Sequence, residues 1–454
     1  MNEPRPGSQI GWFTAACLLV SNVIGGGIFT VTGYLARDLG DPLIILGLWI
    51  VGALIALAGA FSYSELGASL PQAGGDYVYL RQAYGPLVGF LSGWISFTVG
   101  FGAAIAASSV SFSAYAARAI PGLTEGDVSP VIPALALVWM LTAVHVQGVS
   151  TGGWVQRLLT TTKVAALLAI ILGGFLFGTG DWGHLSVRAD HVHPSFSLST
   201  VALIFVFYTY LGWNVVGYVA AELVDPPRAL PKIIVRGTLF VAVLYLLINL
   251  VYVFALPVTI LGEPPLLPVA EKAAAALWGP QSARFFALLL CISITGGVSA
   301  MIWAGPRIYW AMAKDGMFLS FFSHIDSRTG APTRVIILQS LWASLLIITG
   351  TFEQLVVFGG SVLALFTALT VGAVFILRRR YPDLTRPYRV PWYPVIPLAF
   401  ILAMLVMVTT IAVTRPTEAL MGAVTILAGA IAYRMFSKKG RSAPPLSSPG
   451  GSNP

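Results

Sequence analysis

Charge is scarce in this chain. Only 10% of its 454 residues are Asp, Glu, Lys or Arg, where a soluble domain carries about 25%. So few charges cannot clothe a water-exposed surface, and with 57% hydrophobic residues and a mean hydropathy of +0.83 the soluble classes are excluded. Cysteine is almost missing. Cys17 and Cys291 both fall in apolar stretches, which argues against a disulfide framework and against a thiolate metal centre. There is no Walker motif, no nucleophile elbow and no His-Glu-x-x-His. ATP-driven work by this chain alone and the common membrane hydrolases are therefore not expected. The reading is of a non-enzyme with no catalytic residue, no cofactor and no metal.

Long apolar runs fill the space that charge leaves. About twelve stretches are long enough to cross a bilayer as helices: residues 10–36, 43–70, 86–117, 129–147, 154–177, 199–222, 234–256, 281–312, 334–350, 354–377, 394–413 and 418–436. These are spans one to twelve. The class is an all-α polytopic membrane protein. The net charge of +8 does not point to nucleic acid, because the basic residues gather on alternate loops. Arg81, Arg157, Arg228, Arg307, Lys314, Arg334 and the run Arg378, Arg379, Arg380 fall on one side. The other side holds only Arg37, Arg118, Arg188, Lys272, Arg284 and Arg415. The positive-inside rule then places both termini in the cytoplasm of a cell (plasma) membrane protein in contact with lipid. One transmembrane domain is expected over 1–441. The first apolar stretch does not read as a cleaved leader, and the Ser/Pro/Gly-rich tail 442–454 reads as disordered.

Glycine, unlike charge, is abundant, and three stand together as Gly25, Gly26 and Gly27 in the middle of span one. Each costs a helix interior roughly 1 kcal/mol relative to alanine. Three together predict a break. Backbone N–H and C=O groups freed inside a bilayer are tolerated only where they line a cavity or meet protein. The plain alternative is close helix packing, but packing motifs space their glycines four apart. A second interruption is expected five spans later, at Tyr208-Thr209-Tyr210-Leu211-Gly212-Trp213-Asn214 in span six. Paired broken helices at matching places in two halves are the sequence mark of a secondary-transporter site. The halves are residues 10–177 and 199–377, inverted relative to one another, with 394–436 peripheral. In this five-plus-five arrangement helices 1 and 6 are discontinuous. The amides of Gly25, Gly26 and Gly27 at the start of a half-helix over 28–37 suit a carboxylate. The carbonyls of Val23, Ile24, Tyr208 and Leu211 suit an ammonium group.

Four further groups of residues carry a functional reading beside a plain one. Lys163 stands alone among lysines well inside a span. Either it snorkels to the interface, or it is an internal cation tying the first break to Ser293, Thr295 and Ser299 of span eight. Glu65 and Glu222 read as structural ion pairs with inner-face arginines such as Arg307, or as gate locks. Tyr208 and Trp213 flank the second break, as packing or as a gate over a substrate. Asp190, His191 and His193, with His184, form too weak a pattern for a metal.

The chain resembles the amino acid–polyamine–organocation superfamily, and within it the L-amino-acid transporter branch. The resemblance runs through the glycine triplet with Ile28-Phe29, Tyr63-Ser64-Glu65-Leu66, Gly74-Gly75-Asp76-Tyr77 and Tyr84-Gly85-Pro86. It continues in Gly212-Trp213-Asn214, Glu222, Pro227-Arg228-Ala229-Leu230-Pro231, Arg307 to Asp315-Gly316, and Tyr381-Pro382-Asp383 with Arg386-Pro387. It implies transport of amino acids by alternating access. Gly25, Gly26 and Gly27 would bind the carboxylate, and Val23, Ile24, Tyr208 and Leu211 the amine. Tyr208 matches an aromatic gate, and Lys163 matches a lysine that replaces a sodium site. Leu211 stands where a small residue is usual, which narrows the pocket. The external cysteine that joins animal members to a glycoprotein is missing, so no disulfide-linked heavy subunit is expected.

Together these features predict sodium-independent exchange or proton-linked uptake of small to medium neutral L-amino acids. A titrating Lys163 would favour proton coupling and a permanently charged one exchange. A cationic amino acid or polyamine carrier would need an acidic side chain at the breaks, and neither break has one. A non-transporting sensor would carry an appended regulatory domain.

Overall fold

The computed structural model describes residues 9–120, 122–123, 129–189, 195–264, 269–349 and 352–437. Tail residues 442–454, and Asp190, His191 and His193, lie outside the described residues.

Among the described residues, eight helices are long and apolar enough to cross a membrane, and four shorter apolar ones bring the number to the expected twelve spans. No strand occurs among the described residues apart from an isolated bridge between Ile10 and Leu223. Span two, Pro42–Ser69, shows how local chemistry starts a helix. Asp41 Oδ1 accepts from the amides of Leu43 and Ile44 at 2.8 and 3.2 Å, and Pro42 supplies the first turn. Its outer face carries exposed Leu43, Ile50 and Leu54. In lipid such a face needs no polar cover, because the helix satisfies its own backbone.

Span one is three pieces. Helix Trp12–Val23 stops at the glycines, a tight turn covers Gly27–Phe29, and a second helix runs Val31–Leu39. The second half-helix thus begins three residues later than 28, after the turn. Span six divides likewise into Phe196–Tyr210, a turn at Leu211–Asn214, Val215–Tyr218 and a final turn Ala220–Glu222. Gly212 at φ 117° makes the reversal, in a region that L side chains avoid. Span two packs along span seven (Pro226–Ala255), and span three (Pro86–Ala119) along span eight (Ser282–Lys314). Spans four, five, nine and ten are Val131–Val146, Val149–Phe177, Thr333–Thr349 and Phe352–Arg380. Spans eleven and twelve, Val395–Thr414 and Pro416–Ser437, are peripheral: only 28% and 11% of their apolar windows are buried. Two features escaped the sequence reading. A wide turn interrupts span three at Ser96–Phe101; such turns recur at functional sites. A short linker helix, Asp76–Tyr84, joins spans two and three.

Candidate functional site

The two interruptions meet. Asn22 Nδ2 donates to Gly212 O at 3.1 Å, and a Cβ on Gly212 would lie 2.4 Å from that nitrogen. Tyr245 of span seven bridges them from behind, its hydroxyl 2.8 Å from Val23 O and 3.1 Å from Thr209 O. A Cβ on Gly27 would lie 2.5 Å from Thr209 Cγ2, whereas one on Gly25 would meet nothing within 4 Å. Gly27 is thus required by packing, and Gly25 is open.

In front of this junction lies a cavity of about 560 Å³, within the range of small-molecule sites. Val23, Gly25, Gly26, Gly27, Tyr208, Leu211 and Asn214 all line it, as do Asn22, Ser111 and Gly297. Among the described residues, the amides of Gly26 and Gly27 donate to no acceptor. Aligned free donors beside a cavity suit an anionic group.

The ammonium side differs from the sequence reading. Val23 O already accepts from Tyr245 and from the Gly25 amide at 2.9 Å. Ile24 is fully buried away from the cavity, and its carbonyl accepts from Lys163 Nζ at 2.6 Å. Neither carbonyl is free to receive an ammonium. Tyr208 O retains one lone pair beside its bond from the Leu211 amide at 3.2 Å, and Leu211 O has no partner among the described residues. The acceptor that sequence reasoning missed is Asn22 Oδ1, buried and without a partner. An amide directly before the glycine triplet was its only signal.

Lys163 is buried, not snorkelled. Its Nζ donates to Ser21 O at 3.1 Å, Ser21 Oγ at 3.2 Å and Ile24 O, matching the three donors of an ammonium. The hydroxyls of span eight do not join it. Thr295 bonds Cys291 O at 2.7 Å, Ser299 bonds His145 Nε2 at 2.9 Å, and Ser293 Oγ has no partner. Helical hydroxyls turn back onto their own carbonyls, which the residue pattern could not separate from a reach across to span five. Trp213 is also corrected. It is buried against Tyr63, Phe207 and Phe400 and does not line the cavity. Gly212 turns the chain so that the indole points into the packing and Asn214 to the cavity. Glu65 is a structural pair with Arg378 (2.8 and 2.6 Å), and it also accepts the Val390 amide at 2.7 Å.

The cavity runs from Tyr34, Arg37, Asp38 and Arg415, at the far end of span one, to Asp76, Ser92 and Tyr218 near the face where span one begins, the terminal face. That second face is sealed. Ile10 pairs in strand fashion with Glu222 and Leu223 (Ile10 N to Glu222 O, 2.7 Å). Glu222 accepts from Arg307 Nε at 2.8 Å and from Trp303 Nε1 at 3.4 Å, Asp315 pairs with Arg81 and Tyr77, and Arg157 donates to Thr14 Oγ1 at 3.0 Å. Asp76 Oδ2 accepts from Tyr218 Oη at 2.6 Å and Asn214 Nδ2 at 3.0 Å, making the cavity floor. The sequence reading found no acid at either break. This one reaches the cavity from the linker helix instead.

No His/Cys/Asp/Glu cluster fit for a metal occurs among the described residues. His184 Nδ1 lies 3.0 Å from Phe254 O. Both cysteines are free and buried.

Residues 10–431 match the family profile described as Amino acid permease. The chain is 30% identical to the Large neutral amino acids transporter small subunit 2 of Oryctolagus cuniculus over 402 residues, 86% of this chain and 74% of that protein. It is 28% identical to the b(0,+)-type amino acid transporter 1 of Mus musculus, over 94% of this chain and 88% of that one. It is also 28% identical to the Serine/threonine exchanger SteT of Bacillus subtilis, over 86% of this chain and 88% of that one. With a profile match over nearly its whole length, and two broken helices meeting at a cavity, the chain belongs to the amino acid permease family, in its L-amino-acid transporter branch.

Proposed function

We propose that this permease exchanges small to medium neutral L-amino acids across the plasma membrane, with no sodium requirement and with the terminal face in the cytoplasm. In that orientation the cavity opens outward. The observation that carries the reading is the pairing of unsatisfied main-chain donors, Gly26 and Gly27, with unsatisfied acceptors, Asn22 Oδ1 and Leu211 O, across one cavity. A zwitterion presents the complementary charges. The carboxylate lies on the glycine amides, the ammonium on the acceptors, and the side chain passes Leu211 and Tyr208. Lys163 fills the main-chain oxygens that a coupling cation would use. That supports sodium independence. The buried positions of Cys17 and Cys291 support function without a disulfide-linked partner.

Counterflow in proteoliposomes tests this. Labelled serine, threonine, leucine and arginine are offered outside, with and without internal substrate, a sodium gradient and a pH gradient. Uptake of the neutral substrates that requires internal amino acid and ignores sodium is expected. Sodium-driven net uptake would overturn the reading of Lys163, and preferred uptake of arginine would overturn the neutral substrate class.

A further inference from the structure

Asp76 is buried at the cavity floor, with no cationic partner among the described residues. Its Oδ2 holds two donors from the second half of span six, Tyr218 and Asn214, and the Asn214 amide also donates to Tyr218 Oη at 2.7 Å. Among the described residues its Oδ1 has no hydrogen-bond partner, and neither does Tyr63 Oη. The backbone joins the same fastening. Gly74 N donates to Tyr218 O at 3.2 Å, and a Cβ on Gly75 would lie 2.2 Å from Tyr218 Cδ1. Phe101 meets the Tyr218 ring edge-on from span three. The Gly74-Gly75-Asp76 corner therefore grips the piece of span six that must withdraw for the terminal face to open.

The groups facing Asp76 are uncharged. They are Tyr63 of span two, Tyr79 of its own helix, Tyr218 and Asn214 of span six, and Thr370 of span ten. One turn along the linker helix, Arg81 is engaged by Asp315 of span eight. A carboxylate left without a counter-charge in such a place is costly, and a protonated carboxyl is not. Burial pushes the Asp76 carboxyl up, outweighing the hydrogen bonds from Tyr218 and Asn214 that lower it.

We propose that Asp76 is a proton-binding latch: protonated, it fastens Tyr218 and Asn214 and keeps the terminal face shut; ionised, it releases them. This deepens the transport reading and rests on it for the existence of a state open to that face. On opening, water reaches the carboxyl, the O–H bond of Asp76 breaks, and the proton passes to water. On closing, the carboxyl takes a proton back before the floor reforms. The closed state is the one in which the carboxyl is raised. Closure is therefore fully favoured in acid and weakens as pH rises through the closed-state titration, by at most about 10-fold per pH unit for one proton.

The test is thiol accessibility in detergent, with Cys17 and Cys291 replaced by alanine and Ala220→Cys as reporter. Ala220 is fully buried next to Tyr218 and Val219, so only opening of the terminal face exposes it to a hydrophilic maleimide. With Asp76 native, the labelling rate, divided at each pH by that of the same cysteine in the denatured protein to remove the thiol's own ionisation, should climb with pH. Asp76→Asn keeps the acceptor and cannot ionise, so labelling should stay slow at every pH. Asp76→Ala removes the acceptor, so labelling should be fast at every pH. A flat profile with Asp76 native overturns the latch without needing either variant to fold, and so does a native-like profile in Asp76→Asn. Labelling that never occurs, at any pH or with Asp76→Ala, overturns the latch together with the alternating-access reading. Labelling that occurs but ignores pH overturns the latch alone.

Discussion

The three glycines of span one differ at the level of single atoms. Gly27 faces Thr209 so closely that a methyl group would collide with its Cγ2, while Gly25 faces open space. Gly27→Ala should cost about 1–3 kcal/mol by overpacking and push the two interruptions apart, whereas Gly25→Ala should leave stability near the native value. Thermal unfolding in detergent distinguishes them, and equal melting temperatures would show that the junction yields freely. Lys163 gives the second prediction at this scale. Lys163→Met keeps the volume but leaves Ser21 O and Ile24 O buried without their donor, at about 1–3 kcal/mol for each unsatisfied group. Exchange should fall at least about ten-fold, the equivalent of 1.4 kcal/mol in the rate-limiting state. An unchanged rate would reduce the lysine to a packing residue. At this scale the sequence was legible where chemistry is local. Three adjacent glycines can only break a helix, and a lone lysine in an apolar span must find oxygens. It was not legible where a side chain chooses between neighbours. The hydroxyls of Ser299 and Thr295 turned to His145 and to their own helix, and Trp213 turned into packing rather than to the cavity.

Among elements, the closed terminal face is a set of cross-ties between pieces far apart in the chain. The strand-like pairing of Ile10 with Leu223 brings the start of span one against the end of span six. Neighbours in such a bridge stand close enough for a disulfide. Ile10→Cys with Leu223→Cys should therefore cross-link on oxidation, stop exchange and release it on reduction. Exchange that continues through the cross-linked form would show that this seam does not part during transport. The existence and order of the twelve spans could be read from apolar runs, because bilayer thickness fixes their length. The linker helix Asp76–Tyr84 could not, since its buried face meets spans that the sequence leaves unpaired. The partner of Glu65 was hidden for a similar reason: Arg378 lies 313 positions away, and an inner-face carboxylate has many arginines to choose from.

Across the whole molecule, sparse charge and main-chain recognition are one property. Under the proposed reading, a site built largely of main-chain groups needs few ionised side chains in the spans, and three of those described here are engaged with protein partners. Lys163 is taken by span one, Arg307 by Glu222, and Glu65 by Arg378. The phenol of Tyr245 extends this economy. By touching Val23 O and Thr209 O together, it ties the span-one and span-six walls of the cavity to one another through span seven. Neither wall can shift without dragging the other. Cargo with only one of its two head charges would load a cradle that moves as a unit, and would leave the opposite wall unsatisfied through the whole stroke.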